Sequence, residues 1–308
     1  MKFTEDMIRS KELWAGLHDP NRRIEDADIV VFGIPYDGAA SFRSGAKDGP
    51  RAIRDITFSI TPTTEDFEYF GDLKVLDLGD FYGDNQEDLF KKVEKQVQEL
   101  VEKKKFFMMI GGDHSVNIPI TRGIDKGIDE DFGLIHIDAH FDLCHSLGGN
   151  TLSHGCPARR ASELERLGGS DHIFFLGIRS VEEDELEFMK NNPVNVINAR
   201  ELSEIGAKEA AKRVVKHFKD RGKEKIYITF DIDALDPGFA GGTGTPQFGG
   251  ITPRDALTLL RVFSKELNII GFDIVEVAPN LDPSLTSSFA ARKLITEMWG
   301  FYYHKYMK

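Results

Sequence analysis

Short apolar runs, almost unbroken by polar residues, recur along this chain, and most are followed by a turn and a segment of helical periodicity. The runs are Asp28 to Ile34, Leu73 to Leu78, Phe106 to Ile110, Leu134 to Ile137, His172 to Leu176, Val194 to Ile197, Ile226 to Phe230 and Ile269 to Val275. A strand with one face in water alternates apolar and polar residues; a strand that is apolar throughout has to be covered on both faces. Helical segments from Gln86 to Lys104, Pro157 to Leu167, Glu182 to Lys190, Ala207 to Asp220 and Pro253 to Glu266 provide that cover. The pattern predicts an α/β fold with a parallel sheet between helices. A polar, helical lead-in precedes the first run, and no linker, repeat or low-complexity segment divides the chain, so residues 1–308 are read as one domain.

Chemistry collects where the runs end. Leu134 to Ile137 leads into Asp138, His140 and Asp142, spaced two apart, and Ile226 to Phe230 leads into Asp231 and Asp233 with the same spacing. Phe106 to Ile110 leads into Gly111-Gly-Asp-His-Ser, which carries His114. Where a strand stays extended, residues i, i+2 and i+4 share a face, and in an open parallel sheet ligands bind at the carboxyl ends of strands. Asp at a strand end also commonly starts a turn. Four Asp and two His together would concentrate about four negative charges, which cannot all stay ionised without a compensating cation. Oxygen donors with a minority of imidazole suit Mn²⁺ or Mg²⁺ better than a thiolate-rich Zn²⁺ site.

Charge and composition narrow the partners. With 51 acidic against 39 basic residues, a net charge of −12 and no basic block, nucleic acid and anionic membrane are excluded as partners, and a small cationic substrate is compatible. Cys144 and Cys156 are too few for a secreted disulfide framework and lack C-x-x-C spacing, so a reduced, cytoplasmic setting is expected and both are read as packing residues. The N-terminus has acids where a signal peptide needs an apolar core, and no stretch reaches the length of a membrane span.

Loops supply further candidates. The small-residue loop from Pro35 through Ser41 to Gly49-Pro50, before a helix carrying Arg51 and Arg54, is long enough to bind a ligand. The glycine-rich run 241–250 lacks both the Gly-Lys-Ser/Thr ending of a P-loop and G-x-G-x-x-G spacing, and is read as a structural or pocket-lining loop. His136 is read as a packed core histidine, Arg159 and Arg160 as solvated charges on the first turns of a helix, and the aromatic stretch Trp299 to His304 as either an interface or a last packed helix.

Five motifs appear in order: Gly111-Gly-Asp-His-Ser, Asp138-Ala-His-Phe-Asp142, Ser153-His-Gly155, Phe230-Asp-Ile-Asp-Ala-Leu-Asp-Pro237 and Asp273-Ile-Val-Glu-Val-Ala-Pro279. On them the chain resembles the ureohydrolase family, that of arginase and agmatinase, over nearly its whole length. The resemblance implies a three-layer α/β/α fold with an eight-stranded parallel sheet and two Mn²⁺ per subunit. His114, Asp138, Asp142 and Asp231 would hold one metal and Asp138, His140, Asp231 and Asp233 the other, with Asp138 and Asp231 bridging. Ions about 3.5 Å apart lower the pKa of water enough to furnish a nucleophile near neutral pH.

By the same resemblance the candidate catalytic residues are His154, Glu276 and Asp142. Glu276 would pair with a guanidinium and His154 would protonate the departing amine. Val277-Ala-Pro279 looks like the agmatinase branch, where arginases carry Val-Asn-Pro, so agmatine is the expected substrate. Gly148-Gly-Asn150 and Cys156-Pro157 depart from the common patterns, which keeps guanidinobutyrate, arginine, formiminoglutamate and guanidine as alternatives, and a metal- or polyamine-binding protein as the non-enzymatic one. A one-zinc deacetylase would want adjacent histidines and a binuclear phosphoesterase a G-N-H-E motif; neither occurs. A homotrimer or homohexamer is also expected from the resemblance.

Overall fold

The computed structural model describes residues 4–58 and 60–308. Among these described residues are eight strands, β1 Ile29–Ile34, β2 Val75–Asp80, β3 Phe106–Gly111, β4 Phe132–Ile137, β5 Ile173–Leu176, β6 Asn195–Ile197, β7 Lys225–Asp231 and β8 Asn268–Val275. Ten α-helices accompany them among the same residues: α1 Thr4–Ile8, α2 Gly49–Asp55, α3 Gln86–Glu102, α4 Asn117–Gly127, α5 Pro157–Ala161, α6 Glu183–Asn191, α7 Ala199–Ile205, α8 Ala207–Asp220, α9 Pro253–Glu266 and α10 Thr286–Tyr306. The strands form one sheet in the order β2-β1-β3-β8-β7-β4-β5-β6, every pair parallel.

Alternate side chains of each strand fall into separate cores, which makes the fold a three-layer α/β/α sandwich. Val30, Phe32, Phe107, Met109, Leu134 and Phe175 pack under α3, α4 and α5. Ile29, Val31, Met108, Ile135, Ile228 and Ile274 pack under the helices of the other face, where α8, α9 and α10 lie. Both faces are covered, which is why the strands read as continuous apolar runs.

Strand order decides where the motifs meet. β3, β8, β7 and β4 are consecutive neighbours at the centre of the sheet, and they are the four strands whose carboxyl ends lead into the acid- and histidine-bearing motifs. Register finishes the alignment: Phe230 pairs with Ile137 on one side and Ile274 on the other, and Asp231 pairs with Val275. Asp138, Asp231 and Glu276 therefore emerge at nearly one level.

Several expectations need correction. The helix expected over Pro157 to Leu167 stops at Ala161: the Ser162 hydroxyl turns back to the Arg159 carbonyl (2.7 Å) and the Arg166 N–H is taken by Asp125 (2.7 Å), so side chains compete with the helix ladder. Two helices were not identified in the sequence. α4 carries Pro119 in its first turn, where the N–H has no helical partner to lose; α7 is a short helix capped by Asn198. The aromatic C-terminal stretch belongs to the last packed helix, α10, with Trp299 buried at 4.9 Å from Trp14 and Tyr302 at 4.6 Å from Phe106. The polar lead-in is helical only over α1 and then runs in turns.

One ion-pair network sits inside the fold away from the motifs. Arg54, fully buried, pairs in bidentate fashion with Asp77 (2.8 and 2.9 Å) and with Asp80 (2.5 Å), while Trp14 Nε1 donates to Asp77 (2.7 Å). Removing the cation would strand two carboxylates among apolar groups. Arg54→Met should therefore lower unfolding free energy by about 3–5 kcal/mol, read as a fall in the urea midpoint at unchanged slope; a midpoint within error of the parent would show that the pair carries no such weight.

Candidate metal centre

Two Asp of the cluster divide their oxygens between a turn and the site. Asp138 Oδ1 accepts the His140 N–H (2.7 Å) and Asp231 Oδ1 accepts the Asp233 N–H (2.8 Å). These are the side-chain turns that Asp commonly makes at strand ends. Their second oxygens face one another across the strand ends: His114 Nδ1 lies 3.0 Å from Asp138 Oδ2, 3.0 Å from Asp142 Oδ2 and 3.3 Å from Asp231 Oδ2. On the other side His140 Nδ1 lies 3.5 Å from Asp138 Oδ1 and 3.2 Å from Asp233 Oδ2. Asp138 thus belongs to both halves.

Convergence does not come from an extended strand, as the two-residue spacing suggested. β4 stops at Ile137, residues 138–140 bend, and Asp142 has φ +55°. The bend brings the three side chains inward from a loop.

The arrangement fits metal ions. His114 Nδ1 and Asp138 Oδ2 are buried and close, yet neither has a well-aligned hydrogen-bond partner; the atoms surround a common point rather than lie along a shared hydrogen. Among the described residues two groups have the geometry to hold an ion: His114, His136, Asp138 and Asp142, and Asp138, His140 and Asp233. The first differs from the expected set by including His136 in place of Asp231 and the second by lacking Asp231, although Asp231 reaches the same nitrogen of His114 as the first group. His136 is buried, as expected, but it is not a passive core residue: its Nε2 lies 3.0 Å from Asp138 Oδ2 and its ring stacks on His114 at 5.0 Å. Its place two residues before Asp138 was the available signal.

Electrostatics point the same way. Burial first, then the charges of Asp233 and Asp138, push the Asp231 carboxyl well above the usual range, and burial with the Asp138 charge raises Asp233. Against the opposing effect of burial, Asp233 and Asp138 lift His140 to about 12, and the three surrounding carboxylates lift His114 well above an ordinary histidine. So much negative charge in a dry site draws positive charge from any available source.

Glu276 and His154 adjoin the cluster. Glu276, just past β8 with φ +63°, accepts the His114 backbone N–H on Oε1 (2.9 Å), and the same oxygen is 3.1 Å from His154 Nδ1. Its Oε2 faces Gly244, where an added Cβ would stand 3.7 Å away. The Ser41 N–H can only donate, and it points at His154 Nε2 (3.0 Å). His154 therefore keeps a proton on Nδ1 toward Glu276, and a second proton on Nε2 has Ser41 Oγ at 2.8 Å as its acceptor. Burial opposes that second proton, but the Glu276 hydrogen bond and charge prevail and raise His154 to about 9.

These groups open into a cavity of about 160 Å³, also lined by Ser41, Cys144, Glu182, Thr245 and Gln247. The loops after β1 and the glycine-rich run both reach it, as their pocket-lining reading required; Arg43 ties them together by donating to the Gly244 and Thr243 carbonyls (3.0 and 2.8 Å). Arg159 and Arg160 do not line it, and of the two Arg159 stays partly in solvent while Arg160 does not. Arg159 lies over the Phe188 ring at 4.2 Å, and Arg160 is buried against Glu163 at 2.8 Å. Cys144 and Cys156 are free and buried.

Comparison with known proteins decides the family. The sequence profile described as "Arginase family" matches residues 27–300. The chain belongs to the arginase family. This family member is 36% identical to the agmatinase of Bacillus subtilis (strain 168) over 279 residues, 89% of this chain and 91% of that one. Among solved structures, the agmatine ureohydrolase of Thermoplasma volcanium superposes with a TM-score of 0.83 at 31% identity over 98% of both chains. The proclavaminate amidino hydrolase of Streptomyces clavuligerus does so with 0.79 at 32%, over 92% of this chain and 94% of that one. This arginase-family chain is accordingly a ureohydrolase, a hydrolase of guanidino C–N bonds. Among its described residues no helix is long and apolar enough to cross a membrane.

Metal removal tests the centre directly. Ligands that bind the folded state alone add a few kcal/mol at ordinary excess, so exhaustive chelation should lower the melting temperature by roughly 5–10 °C. The difference should shrink below about pH 6, as protons displace the ion from imidazole and carboxylate. A melting curve indifferent to chelator and to added Mn²⁺ would remove the centre from consideration.

Proposed function

We propose that this ureohydrolase uses two Mn²⁺ to cleave the guanidino group of agmatine, giving urea and putrescine. The observation that carries the substrate is the lack of a cation in the cavity wall: none of its described lining residues is Lys or Arg, while Glu182 and Glu276 line it beyond the acids given to the metals. Such a wall favours a substrate with positive charge at both ends. A carboxylate, as in guanidinobutyrate, arginine or formiminoglutamate, would meet no cationic partner there, because Arg159 and Arg160 are engaged elsewhere. The agmatinase and agmatine ureohydrolase relatives agree with this reading; the proclavaminate amidino hydrolase is the relative that makes a test necessary.

Roles follow from positions. His114, Asp138, Asp142 and Asp231 hold one Mn²⁺, and Asp138, His140, Asp231 and Asp233 the other. The pair would supply a water-derived nucleophile near neutral pH. Glu276, which lines the cavity, accepts guanidinium N–H groups on Oε2. His154, steadied between Glu276 and Ser41, hands a proton to the departing amine. Leu147, Val181 and the Cys144 side chain give the methylene chain an apolar wall.

Urea release by Mn²⁺-loaded protein should favour agmatine over arginine, guanidinobutyrate and guanidine, with little ammonia from formiminoglutamate. Preference for a carboxylated substrate would refute the argument from the wall, and no product from any would refute the assignment of agmatine chemistry.

His154 gives a separate test. Its acid form is lost as pH rises through a value at or below about 9, since nearby cations oppose the imidazolium. His154→Ala should cut kcat by about 10²–10⁴, leave Mn²⁺ content intact and abolish the alkaline limb of the kcat profile. Parental kcat in the variant would take His154 out of the reaction.

A further inference from the structure

Asp273 opens the fifth motif, yet none of the roles above uses it. It lies inside β8, fully buried, three residues before Glu276. An acid in the middle of a central strand has to be satisfied by donors, and four surround it. Oδ2 accepts from Tyr227 Oη (2.5 Å) and Asn117 Nδ2 (2.7 Å); Oδ1 accepts from Thr229 Oγ1 (2.7 Å) and the Phe230 N–H (3.4 Å). Tyr227 and Thr229 stand on β7, the strand that ends in Asp231, and Asn117 follows the turn that carries His114.

Thr229 has one further contact, to His114 Nε2 at 2.9 Å. A threonine hydroxyl owns a single hydrogen. A carboxylate can only accept, so that hydrogen goes to Asp273, and the lone pair of Thr229 is what remains for His114. Nε2 must then carry the imidazole hydrogen. Once an ion takes the place of the extra proton that the carboxylates draw, Nδ1, the atom within 3.0–3.3 Å of Asp138, Asp142 and Asp231, is left with its lone pair toward the centre. Were the hydroxyl turned the other way, it would donate to Nε2 and put the hydrogen on Nδ1, where an ion could not bind.

We propose that Asp273 is a positioning residue that acts through Thr229: it orients the hydroxyl, and the hydroxyl fixes His114 with Nδ1 as the metal-binding nitrogen. This rests on the proposed metal centre and adds to it the device that sets one ligand's tautomer. Asn117 and Tyr227 hold the far oxygen of Asp273, which fixes the plane of the carboxylate.

The test compares Thr229→Val, which keeps the shape and removes the hydroxyl, with Thr229→Ser, which restores it. Titration with Mn²⁺ should show one of two equivalents weakened by about 10–100-fold in Thr229→Val, the other retained, and both recovered in Thr229→Ser. In protein loaded with diamagnetic Zn²⁺, ¹⁵N spectra of the parent should show His114 metal-bound at Nδ1 and protonated at Nε2, with the Nε2–H protected from solvent exchange in the parent and exposed in Thr229→Val. Asp273→Asn should weaken the same equivalent, and should add little in the Thr229→Val background. Parental Mn²⁺ affinity in Thr229→Val, or His114 bound through Nε2, would overturn the proposal while leaving the metal centre standing. So would an Asp273→Asn effect that persists undiminished without the hydroxyl. Parent protein that binds no Mn²⁺ would overturn both.

Discussion

Four aspartates gathered at one end of a buried sheet are the constraint on which the rest depends. Carboxylates are tolerated out of water only when every oxygen has a donor or a cation. Asp138 and Asp231 meet half of that requirement locally, each giving one oxygen to the N–H two residues on. The remaining oxygens face histidine nitrogens and one another, and here the chain cannot satisfy itself: Asp231 and Asp233 are pushed up by burial, with the charges of Asp233 and Asp138 acting on Asp231 and that of Asp138 on Asp233. A divalent ion would meet that need at a site whose four aspartates are all buried.

Holding that charge in place requires backbone that would not be adopted freely. Asp142 and Glu276 both have positive φ, at a cost of order 1–3 kcal/mol each for non-glycine residues. Both are tied down. The Glu276 N–H reaches the Gly112 carbonyl (2.8 Å), and the Asp142 carbonyl accepts the Arg159 N–H (3.1 Å) from α5. Glu185 adds a clamp, taking the N–H groups of Leu143 and Glu182 (both 2.8 Å). The short helix α5 and the first turn of α6 thus serve to fix Asp142, and a site held this way is already arranged before substrate arrives.

The layered architecture and most of the cluster were legible because they rest on local rules. Continuous apolar runs imply strands covered on both faces, and acids at their ends imply turns or metal; at Asp138 and Asp231 both implications hold, since a carboxylate has two oxygens. What could not be read depends on contacts far apart in sequence. His136 looked like core because it lies within a strand, but its partner Asp138 bends back toward it only where β4 stops. Arg159 and Arg160 looked solvated because helix starts usually are, whereas Phe188 and Glu163 cover them. Thr229 is an unremarked β-branched residue until β8 sets Asp273 beside it.

By itself, then, the sequence determined the two-sided parallel sheet and the residue types of the centre, because periodicity and donor chemistry are properties of the chain read locally. Only tertiary structure decided that β3, β8, β7 and β4 are neighbours, that His114 meets three carboxylates, and that the cavity wall is acidic without a cation. Those facts arise from strand order and register, which are settled by how the whole set of apolar faces packs, and no short stretch of sequence carries that information.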